Sequence, residues 1–104
     1  MRALTIPSHS RHLYEEFIRS ADLSVGVYRL GAGAIDEQRP HSEDEIYYVI
    51  NGRAKFTSAG QTVDVTPRLC LFVPANETHR FHDIIEPLEV LVFFGPAEGK
   101  RKTG

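Results

Sequence analysis

The apolar residues of this chain fall in short stretches separated by Gly, Pro and Asn, a pattern that predicts β-strands rather than helices. Segment 45–50, with the sequence EIYYVI, is rich in β-branched and aromatic residues, which are typical of strands. In segment 10–19 the apolar spacing also allows one helical turn, although a strand fits better. Taken together, the pattern predicts strands at 13–18, 22–30, 45–50, 53–57, 61–65, 69–73, 78–83 and 88–94.

Turn signals separate several of these segments. Asn51-Gly52 predicts a two-residue hairpin turn, because both residues tolerate a positive φ angle. The sequence Ser-Ala-Gly at 58–60 predicts a second turn. Segment 69–73, LCLFV, is apolar throughout, so we expect a strand buried on both faces, with Cys70 as a small core residue.

Short strands at this spacing, with no internal repeat, predict an all-β sandwich or jelly-roll architecture. A chain of 104 residues suits a single domain, 1–104. We place the barrel core at about 22–94. The tail at about 95–104 carries Lys and Arg residues and is expected to be flexible.

Composition and charge narrow the function classes. The formal net charge of −2 argues against a nucleic-acid-binding protein, which would gather basic residues on one face. No apolar run approaches the roughly 20 residues of a membrane span, and the first residues lack the apolar stretch of a signal peptide. The single cysteine allows no intrachain disulfide, so we expect a cytoplasmic protein.

The most informative histidine is His41, because three acidic residues, 43–45, follow it closely. Imidazole and carboxylate groups together suit a divalent metal ion. In one straight strand His41 and Glu45 would lie about 13 Å apart, so a metal site needs a tight turn at 42–44. His79 is the candidate for a third ligand. From spacing alone, a solvated acidic turn and a surface histidine remain open alternatives.

Two longer patterns give a family resemblance. In segment 33–52, Gly, five residues, Arg-Pro-His, three residues, Glu, six residues and Gly follow one another. In segment 68–83, Arg, five residues, Pro-Ala-Asn, two residues, His, three residues and Asp do so. These segments resemble the two motifs of small single-domain cupins. The resemblance implies a cupin-type double-stranded β-helix, that is, a jelly-roll barrel.

The departures from the two motifs bear on the metal site. Arg39 stands where the first motif has a histidine, and a guanidinium group cannot donate a lone pair to a metal. The ligand set that the resemblance implies is therefore reduced to His41, Glu45 and His79. Two histidines and one carboxylate form the ligand set of the facial triad, which suits Fe(II). Mn, Zn or Ni are also accepted by such ligands, so we expect one divalent ion of unassigned identity.

Strand parity predicts which other side chains face the site. If Glu45 points inward, so does Tyr47, and if His79 does, so does Asp83, whereas His82 should face outward. Tyr47 is a candidate substrate-binding residue because its hydroxyl would face the interior. Two further candidates precede the acidic turn: Arg39, which can pair with a substrate carboxylate, and Gln38, which would need a bulge to face inward.

Two functions follow from the cupin resemblance. The first is a metal-dependent dioxygenase or isomerase of a small oxygen-bearing substrate. The second is a non-catalytic module that binds or senses a small ligand without metal, with Arg39 holding an anionic group. Small cupins also pair as dimers, so the resemblance implies a homodimer.

Overall fold

The computed structural model describes residues 1–8, 13–37 and 39–100. Its described residues form strands and no helix, which confirms the all-β prediction. In segment 10–19, where one helical turn was the alternative, Tyr14–Arg19 is a strand, and residues 10–12 lie outside the described ranges. No helix able to cross a membrane occurs within these ranges. The strands are β1 (Tyr14–Arg19), β2 (Ser24–Leu30), β3 (Asp44–Ser58), β4 (Gln61–Val65), β5 (Cys70–Val73) and β6 (His79–Gly95).

One antiparallel sheet contains all six strands, in the order β1-β2-β6-β3-β4, with β5 paired to β3. Its centre is the pair formed by the two long strands, β3 and β6. They stay in contact from Asp44 opposite Gly95 to Ser58 opposite His79. Irregular register between them lets the long strands bend, since bulges increase local twist. The sheet therefore curls around a single apolar interior.

The hairpin predicted at Asn51-Gly52 is wrong, because both residues lie inside the continuous strand β3. The positive φ of Gly52, 109°, serves a bulge where the register with β6 shifts. A side chain at this position would also collide with the neighbouring strand, since a Cβ on Gly52 would lie 2.4 Å from the carbonyl oxygen of Pro87. Glycine is needed here for a bend within one strand rather than for a turn between two.

The segments predicted as separate strands at 78–83 and 88–94 are likewise one strand, β6. Asp83 has a positive φ of 48°, and the pairing with β3 is irregular beyond His82. At this irregularity the alternation of inward and outward side chains along β6 is interrupted. Asp83 is therefore exposed, and the prediction that it faces the interior is wrong.

The core consists mainly of the inward faces of β2, β3 and β6, to which β4 adds Val65 and β5 adds Val73. It includes a buried polar anchor: the Tyr28 hydroxyl donates to Asp36 Oδ1 at 2.6 Å, and the Phe81 amide donates to Asp36 Oδ2 at 2.9 Å. These bonds tie the irregular segment before β3 to β2 and β6. The buried apolar side chains are Tyr28, Leu30, Tyr47, Val49, Ala54, Phe56, Val65, Val73, Phe81, Ile84, Leu88, Val90, Val92 and Phe94.

Strand β5 is not buried on both faces as its sequence predicts. Cys70 and Phe72 are exposed, whereas Val73 is buried, so the assignment of Cys70 to the core is wrong. The reason is that nothing described covers the outer side of β5. Phe72 lies opposite Ile46, which in turn lies opposite Phe93, and this outer row is 63%, 44% and 38% exposed.

Candidate metal centre

Three side chains from distant parts of the sequence converge at one end of the barrel. His41 comes from the irregular segment before β3, Glu45 is the second residue of β3, and His79 is the first of β6. One potential ligand atom from each lies within 4.8 Å of the other two. The chain bends at Ser42 and Glu43, just before β3 begins. That bend returns the His41 side chain toward Glu45.

The hydrogen bonds of His79 determine which ring nitrogen faces the cluster. Its Nδ1 lies 2.9 Å from the Glu77 carbonyl oxygen, so the Nδ1 hydrogen is donated there. Its Nε2 then faces inward, 3.2 Å from Glu45 Oε1 and 3.1 Å from the Tyr47 hydroxyl. In the neutral ring this nitrogen carries a lone pair directed at the cluster. A backbone carbonyl that fixes the opposite nitrogen is a common support for a metal-binding histidine.

Burial by itself lowers the pKa of His79. The contact with Glu45 and the bond to the Glu77 carbonyl outweigh that effect, so the pKa of His79 is raised overall. When no ion is bound, the proton that His79 shares with Glu45 supplies the positive charge beside the Glu45 carboxylate. A divalent ion and this proton would compete for the same Nε2 position.

Glu45 is the least satisfied group of the site. It is 1% exposed, and apart from His79 Nε2, which lies 3.2 Å from Oε1, neither carboxylate oxygen has a hydrogen-bond donor among the described residues. Buried carboxylates normally receive several donors or a cation, because desolvation of an unpaired charge is costly. A buried carboxylate beside two imidazoles is ligand chemistry that suits a divalent ion. The residues present therefore fit a metal ion.

His41 has a different environment from His79. It is partly exposed, its ring packs edge-on against Phe94 with a centroid separation of 4.8 Å, and its Nδ1 lies 3.6 Å from Glu98 Oε2. The Glu98 backbone is held on both sides, since its amide donates a hydrogen bond to Ser24 Oγ at 3.0 Å and its carbonyl accepts one from Arg19 at 2.8 Å. Burial raises the pKa of Glu98, which His41 partly opposes. Glu98 thus stands fixed behind the His41 ring.

A cavity of about 160 Å³ opens beside His41. Val92 and Phe94 supply its apolar wall, and Arg39 stands at its exposed rim. The described residues give Arg39 no ion-pair partner. The lining residues are Tyr14, Tyr28, Arg39, His41, Val92, Phe94 and Glu98.

The remaining candidates from the sequence fall in different places. Tyr47 is fully buried against His79 and is not part of the cavity lining, whereas Arg39 is. Gln38 lies outside the described residues. His82 points away from the cluster, with its Nε2 2.7 Å from Thr57 Oγ1.

Sequence reasoning did not assign Tyr14 or Glu98 to the cavity. Tyr14 lies in a strand of no distinctive motif, and Glu98 lies within the segment expected to be a flexible tail. In that segment Ala97 is fully buried and Glu98 is anchored, while residues 101–104 lie outside the description. The division into core and tail stays a prediction. Apart from being titratable, neither residue carried a local signal that could have revealed its role.

A curled antiparallel sheet with two imidazoles and a carboxylate at one end defines a double-stranded β-helix with a candidate metal site. Residues 26–94 match the family model of the cupin domain. The chain is also 46% identical over 85 residues to the uncharacterized protein SCO3923 of Streptomyces coelicolor, covering 82% of this chain and 81% of that protein. This protein belongs to the cupin family, and the resemblance seen in its motifs is confirmed.

Solved structures agree with this fold. An RmlC-like cupin from Methanocaldococcus jannaschii, described as a double-stranded β-helix, superposes with a TM-score of 0.78 at 15% identity, over 92% of this chain and 91% of that one. KdgF from Halomonas sp. superposes with a TM-score of 0.73 at 22% identity, over 80% and 78%. At these identities the likeness shows the fold alone.

The DMSP lyase DddQ from Ruegeria pomeroyi is more similar in sequence, at 26% identity with a TM-score of 0.70. The match covers 82% of this chain but 42% of DddQ, so this chain corresponds to less than half of that enzyme.

Proposed function

We propose that this protein is a metal-dependent enzyme that acts on a small oxygen-bearing molecule, with one divalent ion held by His41, Glu45 and His79. The observation that carries the proposal is the buried Glu45 carboxylate, which has no hydrogen-bond donor other than His79 among the described residues and lies with the His41 and His79 imidazoles in one cluster. Two nitrogen ligands and one carboxylate suit Fe, Mn, Zn or Ni. Such a set leaves coordination positions open for water or substrate.

The protein groups around the ion would orient its ligands, exclude water and attract the substrate. When bound, the ion supplies Lewis-acid polarisation of a substrate oxygen. The Glu77 carbonyl keeps the His79 ring in one tautomer, and Glu98 supports His41 from behind. The wall formed by Val92 and Phe94 keeps water away from the apolar part of a ligand. Arg39 at the rim attracts a negatively charged ligand group.

For the reaction class, the proposal favours Lewis-acid chemistry of the lyase or isomerase type. The similarity to the DMSP lyase DddQ supports this choice. The same ligand set also serves Fe(II) oxygenases, so a dioxygenase is the competing assignment. Oxygen consumption during turnover of the iron-loaded protein distinguishes the two, because lyase and isomerase reactions consume no O₂.

Metal analysis of the purified, untagged protein tests the proposal. We expect close to one equivalent of a divalent metal after loading and removal of excess, and a loss of at least 10–100-fold in metal affinity for His41→Ala and His79→Ala. His82→Ala is the matched control, since this histidine on the same strand as His79 faces away from the cluster. Unchanged metal affinity in either ligand variant would overturn the assignment.

The second candidate is a binding module without metal, and Arg39 in place of the motif histidine is the feature that favours it. In that case the guanidinium charge substitutes for the charge of the ion. A protein that binds a small anion equally well before and after chelator treatment, with no bound metal, would support the module and not the enzyme.

We also propose that the protein is a homodimer. The row formed by Phe72, Ile46 and Phe93 supports this, because it places exposed apolar side chains next to one another across three strands of the outer face. Cytoplasmic location stays a prediction from cysteine usage.

A further inference from the structure

The C-terminal segment 96–99 is held against strands β1 and β2. Within it, Ala97 is fully buried. The Glu98 amide donates to Ser24 Oγ on β2 at 3.0 Å, and Arg19 on β1 donates to the Glu98 carbonyl at 2.8 Å. Both bonds use backbone atoms of residue 98. The Glu98 carboxylate therefore takes no part in holding the segment and is available for another contact.

That carboxylate lies beside the candidate ligand His41. Glu98 Oε2 is 3.6 Å from His41 Nδ1, and both residues line the cavity of about 160 Å³ and also a second cavity next to it. The His41 backbone is held by the Asn76 amide, which donates to the His41 carbonyl at 2.7 Å, and the ring packs against Phe94. Neither contact determines which ring nitrogen carries the hydrogen. Among the described residues, only Glu98 offers a ring nitrogen of His41 an acceptor that can do so.

The two histidines of the cluster have similar support. The Glu77 carbonyl accepts the Nδ1 hydrogen of His79 and leaves its Nε2 lone pair for the cluster. In His41, the Glu98 carboxylate stands at the corresponding nitrogen. An acceptor at Nδ1 fixes the tautomer and ring orientation of a metal-binding histidine, and a carboxylate in this place also makes the ligand nitrogen more basic. Glu98 is thus placed to do for His41 what Glu77 does for His79.

Glu98 also belongs to the electrostatic environment of the ligand carboxylate. Burial raises the pKa of Glu98, and the contact with His41 lowers it. Three nearby carboxylates raise it further, those of Glu16, Glu43 and Glu45. A divalent ion held by Glu45 would attract Glu98 and offset the repulsion among these carboxylates. Binding of the ion and docking of the segment that carries Glu98 would therefore favour each other, because coupling between two equilibria is reciprocal.

From these contacts we propose that Glu98 is a positioning residue of the metal centre, and that docking of segment 96–99 raises the metal affinity through it. The Glu98 carboxylate accepts the Nδ1 hydrogen of His41, and His41 holds the ion through Nε2. A bound ion in turn strengthens the docking of the segment. This inference deepens the proposed function, on which it rests for the ion and its three ligands. Segment 96–99 lies outside residues 26–94, so the match to the cupin family model does not include it.

Zinc affinity, measured by competition with a chromophoric chelator, tests the positioning role. We expect Glu98→Ala to bind Zn²⁺ at least tenfold more weakly than the natural sequence, the usual effect of removing such a partner. Glu98→Gln keeps an acceptor oxygen without the charge, and should lose only about threefold, because a neutral hydrogen bond is roughly half as strong as a charged one. Loss of a ligand, in Glu45→Gln, should exceed the loss in Glu98→Gln. Glu86→Gln is the matched control, since it removes a carboxylate that pairs with Arg53 on the surface.

Amide hydrogen exchange, followed by NMR, measures the coupling in the other direction. The residue-98 amide donates to Ser24 Oγ, a bond that does not involve the side chain of residue 98, so it reports docking in each variant. Saturation with zinc should slow its exchange at least tenfold in the natural sequence and less than twofold in Glu98→Ala. General stabilisation by the ion does not explain such a difference, because both proteins are compared at the same zinc saturation.

The zinc-loaded protein gives a third readout. The ¹⁵N chemical shifts of the His41 ring identify the nitrogen that holds the ion, and we expect Nε2. Because the Glu98 side chain makes none of the bonds that hold the segment, metal-free Glu98→Ala should keep the melting temperature of the natural sequence. If Glu98→Ala does not fold, Glu98→Gln provides the same comparisons.

Three results would overturn the inference: unchanged zinc affinity in Glu98→Ala, zinc bound to His41 Nδ1, or exchange of the residue-98 amide that zinc slows equally in both proteins. In each of these, zinc binding by the natural sequence leaves the proposed metal site standing. A natural sequence that binds neither zinc nor Fe, Mn or Ni overturns the proposed function and this inference together, and direct metal analysis identifies that case.

Discussion

Glu45→Gln tests directly whether the buried carboxylate is a metal ligand, because it removes the charge and keeps the shape. This carboxylate is 1% exposed, and His79 is the only hydrogen-bond donor beside it in the described part of the chain. Replacing this buried carboxylate by a neutral amide should cost little, because desolvation of the charge is avoided and the amide can donate to His79 Nε2, which lies 3.2 Å from Glu45 Oε1. We therefore expect metal-free Glu45→Gln to be as stable as the natural sequence.

The metal-loaded proteins should differ strongly. A ligand present at 100 times its Kd stabilises the folded state by about 2.7 kcal/mol. For a domain of this size that corresponds to a rise of about 10–20 °C in Tm. If Glu45→Gln weakens binding by about 100-fold, the same metal concentration only equals its Kd, and the stabilisation falls to about 0.4 kcal/mol, or about 2–3 °C.

Thermal unfolding followed by circular dichroism, with and without a fixed concentration of metal, measures both quantities in one experiment. His82→Gln serves as control, since it changes a histidine that faces Thr57 rather than the cluster. Two results would refute the reasoning. An equal metal-induced shift in Glu45→Gln would mean that the carboxylate is not a ligand. A loss of more than about 2 kcal/mol in the metal-free variant would mean that the contact between Glu45 and His79 is a structural ion pair.

Three further predictions concern stability and assembly. Tyr28→Phe removes a donor to the buried Asp36 carboxylate and should cost about 1–3 kcal/mol in urea unfolding; no change would mean that the 2.6 Å bond contributes nothing. Gly52→Ala should lower the free energy of unfolding by about 2–4 kcal/mol, because residue 52 has a positive φ and an added Cβ would clash with Pro87. Gly60→Ala should lower it by about 1–2 kcal/mol, because residue 60 has a positive φ but open space around it. An equal loss of stability in the two glycine variants would mean that the clash with Pro87 does not contribute. Phe72→Glu should convert a dimer to a monomer in light scattering; a monomeric natural protein contradicts the proposed dimer.

Local sequence was sufficient to locate most strands, because the alternation of apolar and polar residues is a property of each strand by itself. It was not sufficient to say which strands are continuous. A glycine with positive φ serves a tight turn and a bulge equally well, so Asn51-Gly52 looks the same in either setting. The register with β6 determined that it is a bulge.

The exposure of Cys70 shows a second limit. Segment 69–73 is apolar, which is compatible with burial on both faces. Whether a second layer covers β5 depends on how the sheet curls. Among the described strands β5 pairs only with β3, and Phe72 is left 63% exposed.

The spacing of residues in the sequence was enough to select the three candidate metal ligands. His41 and Glu45 are four positions apart across a bend, and His79 follows a recognisable loop. Their mutual approach to within 4.8 Å could only be hypothesised, since it depends on the barrel closing.

What the sequence determined alone, through strand periodicity and two spaced motifs, was the all-β class, the cupin resemblance and the three candidate ligands. Tertiary structure alone decided that Tyr14 near one terminus and Glu98 near the other line the cavity beside His41. The physical reason is that periodicity and motif spacing describe neighbours along the chain. A cavity wall is made by segments that meet only when the sheet has curled, and no local pattern records that meeting.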